Sequence, residues 1–349
     1  MKRVAFAVPG DLSTPTGGYS YDRRIIAELK QLGWQVDLID LGGGYPRPSA
    51  EIKAMASTLL KGVPNAYPVV VDGLALGVLP QEARQLRERN PLVALVHHPL
   101  ALETGLAPAD VEAFRRSERL ALAAAHGVVV TSPSTARLLL DDYDIPADLI
   151  TVACPGTDRG AVAPGSSDGI VRLLSIGAVI PRKGFDVLIA ALATLDTLPW
   201  QLTIAGNRTR DVATAAQLDA DIVRHNLAGR IELLGELPDH RIAALYNKAD
   251  LFVLASRFEG YGMVFAEAMA HGLPIVGTTA GAIPDTVPPQ AGVLVEPNDV
   301  KALARALRML IQNRSERRWF ASGASAAAEK LPTWRDSARL VAHALEALA

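Results

Sequence analysis

The run Leu251-Phe252-Val253-Leu254-Ala255-Ser256-Arg257-Phe258-Glu259-Gly260-Tyr261-Gly262-Met263-Val264-Phe265-Ala266-Glu267-Ala268-Met269-Ala270-His271-Gly272-Leu273-Pro274-Ile275-Val276 holds a strand, a turn, a helix and a second strand in one passage. The short apolar run 251–254 has the length and flanks of a buried strand. A glycine-bearing turn follows, a helix begins near Tyr261 or Gly262, and Gly272 with Pro274 stops it before the next apolar run, 274–276. A strand that returns through a helix to another strand is the unit of a parallel α/β sheet.

The same alternation extends in both directions. Strand-type runs precede it at 171–176, 202–205 and 231–234 and follow it at 292–295, with helical patterns such as 185–195 and 209–225 between them. An earlier series lies at 4–8, 36–41, 69–71, 92–96, 128–130 and 150–152. Between the two series, 155–169 is too rich in Gly, Pro and Ser to continue helix or strand and reads as a linker. A chain of 349 residues exceeds what one core usually supports. The expectation is α/β with two doubly wound parallel-sheet domains, 1–158 and 170–330, followed by a terminal helical segment, 331–349. Doubly wound sheets bind ligands at the carboxyl ends of their strands, so chemistry is expected in the loops after strands, around a central cleft.

Composition narrows the function. Hydrophobic residues make up 49% of the chain but aromatics only 5%, which fits many short buried strands. A formal charge of −2 argues against non-specific nucleic-acid binding. With Cys154 as the single cysteine there is no intrachain disulfide and no cysteine-built zinc site, and a reducing compartment fits best. The apolar run 4–8 ahead of Pro9 is too short for a signal-peptide core. No later stretch approaches the ~18–20 apolar residues of a spanning helix. A cytoplasmic protein is expected, with any membrane contact peripheral at the inner face.

Two segments carry the chemistry. Amides of Gly262, Met263 and Val264 at a helix N-terminus offer a site for an anion such as a diphosphate. Glu267, one to two turns further on, can accept hydrogen bonds from a vicinal diol such as that of ribose. Glu259, just ahead of the helix, would face a sugar's hydroxyls. The pair alone fits equally well an acid complementing the helix dipole and an ordinary surface glutamate. The second segment, Pro181-Arg182-Lys183-Gly184, sets a planar donor fork and a point charge ahead of a helix, which suits a leaving diphosphate. An isolated Arg-Lys pair is also common in a solvated loop.

Together, Pro181-Arg182-Lys183-Gly184 and the two glutamates with seven residues between them resemble the retaining glycosyltransferases of family 4. Supporting pieces lie in order: Gly17-Gly18, His97, Thr131-Ser132, Pro155-Gly156-Thr157-Asp158, Ala205-Gly206, Gly235-Glu236-Leu237-Pro238 and Ala291-Gly292-Val293-Leu294-Val295. The resemblance spans nearly the whole chain. It implies the GT-B fold, two Rossmann-like domains, with the N-terminal one binding the acceptor, the C-terminal one the donor, and the last helix crossing back to the first domain.

It also implies roles. Arg182 and Lys183 would stabilise the donor diphosphate, Glu259 would contact the transferred sugar and Glu267 would bind the ribose. Gly17, Gly18, Gly206, Leu237, Gly262, Met263 and Val264 fall to the donor side, and Thr131 and Ser132 frame the acceptor. His97 would hydrogen-bond the sugar near the reacting carbon, with His98 on the acceptor side where relatives carry an acid; taken alone, His97 is also an ordinary loop imidazole. The donor would be a UDP-, GDP- or ADP-linked sugar, and the acceptor a sugar, lipid or small molecule. No cofactor and no essential metal are expected.

Other motifs read otherwise. Asp219-Ala220-Asp221 has the form of a metal-binding Asp-x-Asp, but residues two apart on a helix do not share a face, and it reads as solvated surface. Asp141-Asp142-Tyr143-Asp144 reads as a helix-end turn. Arg84, Arg87 and Arg89, with Arg115, Arg116 and Arg119, read as solvated helix surface, the alternative being a face that docks on anionic lipid. A sugar-nucleotide epimerase of the same fold and a non-catalytic sugar-nucleotide-binding protein are the rival functions. NAD-dependent oxidoreduction lacks its glycine fingerprint.

Overall fold

The computed structural model describes residues 2–103 and 105–348. The chain divides into two compact units: one runs through Gly156 and includes the stretch from Pro332 onward, and the other is Thr157–Leu331.

The first unit is built on a six-stranded parallel sheet ordered β2-β1-β3-β4-β5-β6. Its strands are β1 (Lys2–Val8), β2 (Trp34–Asp40), β3 (Val69–Asp72), β4 (Leu92–Val96), β5 (Gly127–Val130) and β6 (Ile150–Val152). Every residue of β3 and β4 is buried, which is why both read as unbroken apolar runs rather than alternating ones. The helix Gly17–Gln31 turns Tyr21, Ile25, Ile26 and Leu29 inward at helical spacing, and Asp22 falls in the same buried stripe. The last helix, Trp334–Glu346, opens with a capping box between Thr333 and Asp336. It packs on helix Gly17–Gln31 and against β5 and β6.

The second unit carries β7 (Val171–Ile176), β8 (Trp200–Ala205), β9 (Ile231–Leu233), β10 (Leu251–Val253), β11 (Ile275–Thr278) and β12 (Gly292–Val295). Its parallel sheet is ordered β12-β11-β10-β7-β8-β9. Phe252 on β10 meets Phe265 of the helix Met263–Ala270 edge to face at 5.4 Å, clamping that helix onto the sheet.

Both sheets are Rossmann-like, and all twelve strands lie within one or two residues of their sequence-expected places. One helix is shorter than the pattern suggests. It begins at Val212 because Asp211 caps it through Thr214 N, while Asn207 Oδ1 ties the amides of Thr209 and Arg210 into a turn. Among the described residues no helix is long and apolar enough to cross a membrane.

Strand order locates the places to look for chemistry. In the first unit the order reverses beside β1, whose neighbours are β2 and β3; in the second it reverses beside β7, whose neighbours are β8 and β10. Loops after the strands flanking each reversal leave a crevice that no crossover fills.

Candidate functional site

In the second unit the loops after β7 and β10 meet. The β7 loop ends in the short turn Pro181–Lys183, and Gly184 follows in the left-handed region, φ +65°. A Cβ at Gly184 would collide with the Ala255 carbonyl, so only glycine lets this loop lie against the one after β10. The Arg182 carbonyl accepts from Arg257 N at 2.7 Å, closing the contact.

Here Glu259 lies between the two cations. Lys183 Nζ donates to its Oε1 at 2.6 Å and Arg182 to its Oε2 at 3.3 Å, while Ser256 Oγ donates to Oε1 at 2.6 Å. Arg182 also donates to the Phe258 carbonyl at 2.8 Å. Glu259 is 5% exposed, so the acid is not simply a surface glutamate. Burial works to raise its carboxyl, but Lys183, Arg182 and Ser256 outweigh burial and hold it below the ordinary range. Lys183 is pushed down, first by burial and with Arg182 adding to it, against the pull of Glu259. In this structure Glu259 is spent on the cations rather than turned toward a sugar.

Gly262, φ +86°, is the N-cap of helix Met263–Ala270, and the amides of Gly262, Met263 and Val264 stand at its positive end. Glu267 accepts from Tyr246 Oη at 2.8 Å. Burial raises its carboxyl to about 7, with Tyr246 opposing and Asp239 and Asp158 adding. Gly206 follows β8 with its amide donating to Gly235 O at 2.7 Å, which brings the Leu237 loop alongside; Leu237 itself is half-buried on the core. The second unit thus gathers Arg182, Lys183 and Glu259 into one cluster, just ahead of the helix that Gly262 caps.

In the first unit His97 follows β4. Its Nε2 lies 3.2 Å from Asp22 Oδ1 and 3.3 Å from Asp72 Oδ2, and both acids are buried. Gly18, in the first turn of helix Gly17–Gln31, gives the ring room: a Cβ there would stand 3.2 Å from His97 Cδ2. Gly17 is unobstructed. Thr131 Oγ1 donates to the His97 carbonyl at 3.1 Å. His98 pairs with Glu103 at 2.6 Å.

The structure corrects several expectations. Ser132 is fully buried; its hydroxyl caps helix Pro133–Tyr143 through Thr135 N and donates to Thr135 Oγ1, so it supports the loop instead of framing an acceptor. Asp219 and Asp221 do take different faces, but only Asp219 is solvated, paired with Arg208; Asp221 is buried against Gln217 and Arg224. Arg87 and Arg89 are not simply solvated: they donate to the carbonyls of Ala124, Ala125, Lys61 and Leu60.

Sequence reading passed over Asp22, Asp72, Tyr246 and Ser256. A signal existed for two of them. Asp22 sits in register with the apolar stripe of its helix, and Asp72 ends a strand at the chain reversal. Nothing in the sequence ties Tyr246 to Glu267, 21 residues later.

Comparison with known proteins adds a likeness over the second unit and to whole enzymes. Residues 164–326 match the model described as glycosyl transferases group 1. The chain is similar to the MMP alpha-(1->4)-mannosyltransferase of Mycolicibacterium hassiacum, 28% identical over 316 residues, covering 84% of this chain and 74% of that one. For several other curated relatives the chain spans 39% to 64% of their length. Among solved structures, sucrose-phosphate synthase from Thermosynechococcus elongatus superposes with a TM-score of 0.85 at 22% identity, covering 100% of this chain and 99% of that one. Anabaena HepE in complex with UDP-glucose does so with a TM-score of 0.79 at 19% identity, covering 99% of this chain and 100% of that one. These likenesses establish the fold, GT-B.

Proposed function

We propose, from the match of residues 164–326 to the glycosyl transferases group 1 model and the likeness to a mannosyltransferase, that the chain moves a hexose-type sugar from a nucleotide-diphosphate donor to a hydroxyl acceptor, with retention and without an essential metal. The observation that carries this reading is the buried Arg182, Lys183 and Glu259 cluster at the strand reversal of the second unit, next to the amide end of helix Met263–Ala270.

When the bond between the sugar's anomeric carbon and the donor phosphate breaks, negative charge grows on the departing diphosphate. Arg182, Lys183 and the amides of Gly262, Met263 and Val264 stabilise it, which is transition-state stabilisation by donors fixed in advance. Glu259 keeps the two cations in place before the donor arrives and then accepts from sugar hydroxyls. Glu267, oriented by Tyr246, accepts from the ribose diol. His97 contacts the sugar. The acceptor oxygen forms its bond to the anomeric carbon on the face the phosphate leaves, and its proton passes to the leaving phosphate oxygen, so no side-chain nucleophile is needed.

UDP-glucose, named with the Anabaena protein, heads the set of donors to test. Thermal shift and hydrolysis are measured with UDP-, GDP- and ADP-sugars, each with and without EDTA. One nucleotide class should stabilise the protein and be turned over in EDTA. No stabilisation by any of them would sink the donor reading, strict Mn²⁺ dependence would overturn the metal-independent one, and an inverted anomer in the product would overturn retention.

A further inference from the structure

The cluster around His97 holds more charge than a single sugar contact needs. Its Nε2 lies 3.2 and 3.3 Å from two buried acids, ion-pair distances without a well-aligned hydrogen bond to either, and a lone pair there would be repelled by both, so Nε2 carries hydrogen. Two buried acids without a counter-charge are costly: burial raises the Asp22 carboxyl to about 7, with His97 opposing and Asp72 adding, and above that pH a second proton on the ring supplies the counter-charge. Asp72 is held by Leu74 N, which donates to its Oδ1 at 2.7 Å, whereas Asp22 is placed by the buried stripe of its helix and neither of its oxygens has a well-aligned hydrogen-bond partner among the described residues.

The surroundings offer no competing cation at the ring among the described residues. From helix Gly17–Gln31 come Asp22 and the edge of Tyr21, whose ring centre is 5.4 Å away; from the end of β3 comes Asp72; from the end of β5 comes Thr131, bonded to the His97 carbonyl. Cys154 and Trp334 stand behind Tyr21, and Arg24 lies over the far Trp334 ring. His98 is taken up by Glu103.

We propose that Asp22 and Asp72 are positioning residues that hold His97 as an imidazolium through Nε2, leaving Nδ1–H as the ring donor that meets the donor sugar and excluding His97 as a proton acceptor. The clamp deepens the glycosyl-transfer reading and rests on it for the identity of the ligand. Protonation is favoured on the same grounds. Burial alone would push His97 down, but Asp22 and Asp72 outweigh it and raise it well above the ordinary imidazole range.

The test uses the full chain with ¹⁵N-labelled histidine, the His97 resonances being assigned with His97→Gln. In the wild type both ring nitrogens should stay protonated to about pH 8.5, where an unperturbed imidazole is neutral. In Asp22→Asn/Asp72→Asn burial is left unopposed, and the ring should titrate below the ordinary imidazole range. That variant should lose about tenfold in kcat at about pH 8, keep its donor KM within about twofold, and regain rate only as pH falls below about 6, where the buried ring charges again. A purely structural role would not produce that recovery. A neutral His97 in the wild type at about pH 7 overturns the clamp. So does a stoichiometric shift of the His97 resonances on adding Zn²⁺ or Mn²⁺, because the same three groups are close enough to bracket a cation. If the clamp holds by NMR while no nucleotide sugar is bound or turned over, the clamp stands and the glycosyl-transfer reading falls.

Discussion

The two units place opposite charge patterns near their strand reversals. In the first, with acids from the helix after β1 and the end of β3 and the base from the loop after β4, a base lies between two acids: His97 with Asp22 and Asp72. Beside β7, an acid lies between two bases: Glu259 with Lys183 and Arg182. Each cluster is largely buried and partly neutralised from within, so its side chains are fixed before any ligand arrives. What differs is the remaining charge. The second unit keeps an excess of cation next to helix amides, which suits phosphate; the first keeps an excess of acid, which suits a group that must remain protonated.

The largest effect should come from breaking the cationic side. In Lys183→Ala the leaving diphosphate loses a fixed donor, and transfer should fall by about 10²-fold or more in kcat. Circular dichroism should still report a folded protein, since Arg182 and Ser256 continue to hold Glu259. A near-wild-type kcat at saturating donor would remove Lys183 from the chemistry and leave it a structural partner of Glu259.

A smaller effect of opposite sign is expected at the acid. Glu259 competes with phosphate for Lys183 and Arg182. Glu259→Gln keeps the shape, removes the competitor, and should tighten binding of inorganic pyrophosphate by about fivefold, near 1 kcal/mol, while the sugar contact is weakened and transfer drops by about tenfold. Calorimetry with pyrophosphate and the rate assay separate the two. Weaker pyrophosphate binding in the variant would mean that Glu259 organises the cations rather than restraining them, and the contrast between the clusters would lose its meaning.

How far these clusters were legible follows from what each depends on. Strands fully buried on both faces leave continuous apolar runs, so the alternation survived in the sequence, and the Arg182-Lys183 pair and the two glutamates were visible as motifs. The partners were not. Glu259 sits on Lys183 because the loops after β7 and β10 become neighbours through β7–β10 pairing, 76 residues apart in sequence. Asp22 and Asp72 reach His97 from a helix face and from a strand end, and neither carries a local motif. Ser132 misled for the opposite reason: a hydroxyl after a strand and before a helix looks the same in sequence whether it frames a ligand or caps the helix, and burial decided for the cap.

Within the second unit the contrast can be sharpened between its two glutamates. Glu259 has two cations and is held ionised, whereas among the described residues Glu267 accepts from the Tyr246 hydroxyl and burial leaves its carboxyl at about 7. A raised carboxyl is protonated below that value and ionised above it. Only the ionised form accepts from both hydroxyls of a diol, so donor affinity should be full above about pH 8 and fall about fivefold by about pH 6. The intact nucleotide sugar is the right probe, because its esterified diphosphate does not titrate in this window. In Glu267→Gln the slope should vanish. In Tyr246→Phe one hydrogen bond that favours the ionised form is lost, worth about 1 kcal/mol, so the midpoint should move upward and affinity at neutral pH should drop. Because Glu259 is held low by its cations, it contributes no slope here, and a pH dependence that survives in Glu267→Gln would assign the titration to another group.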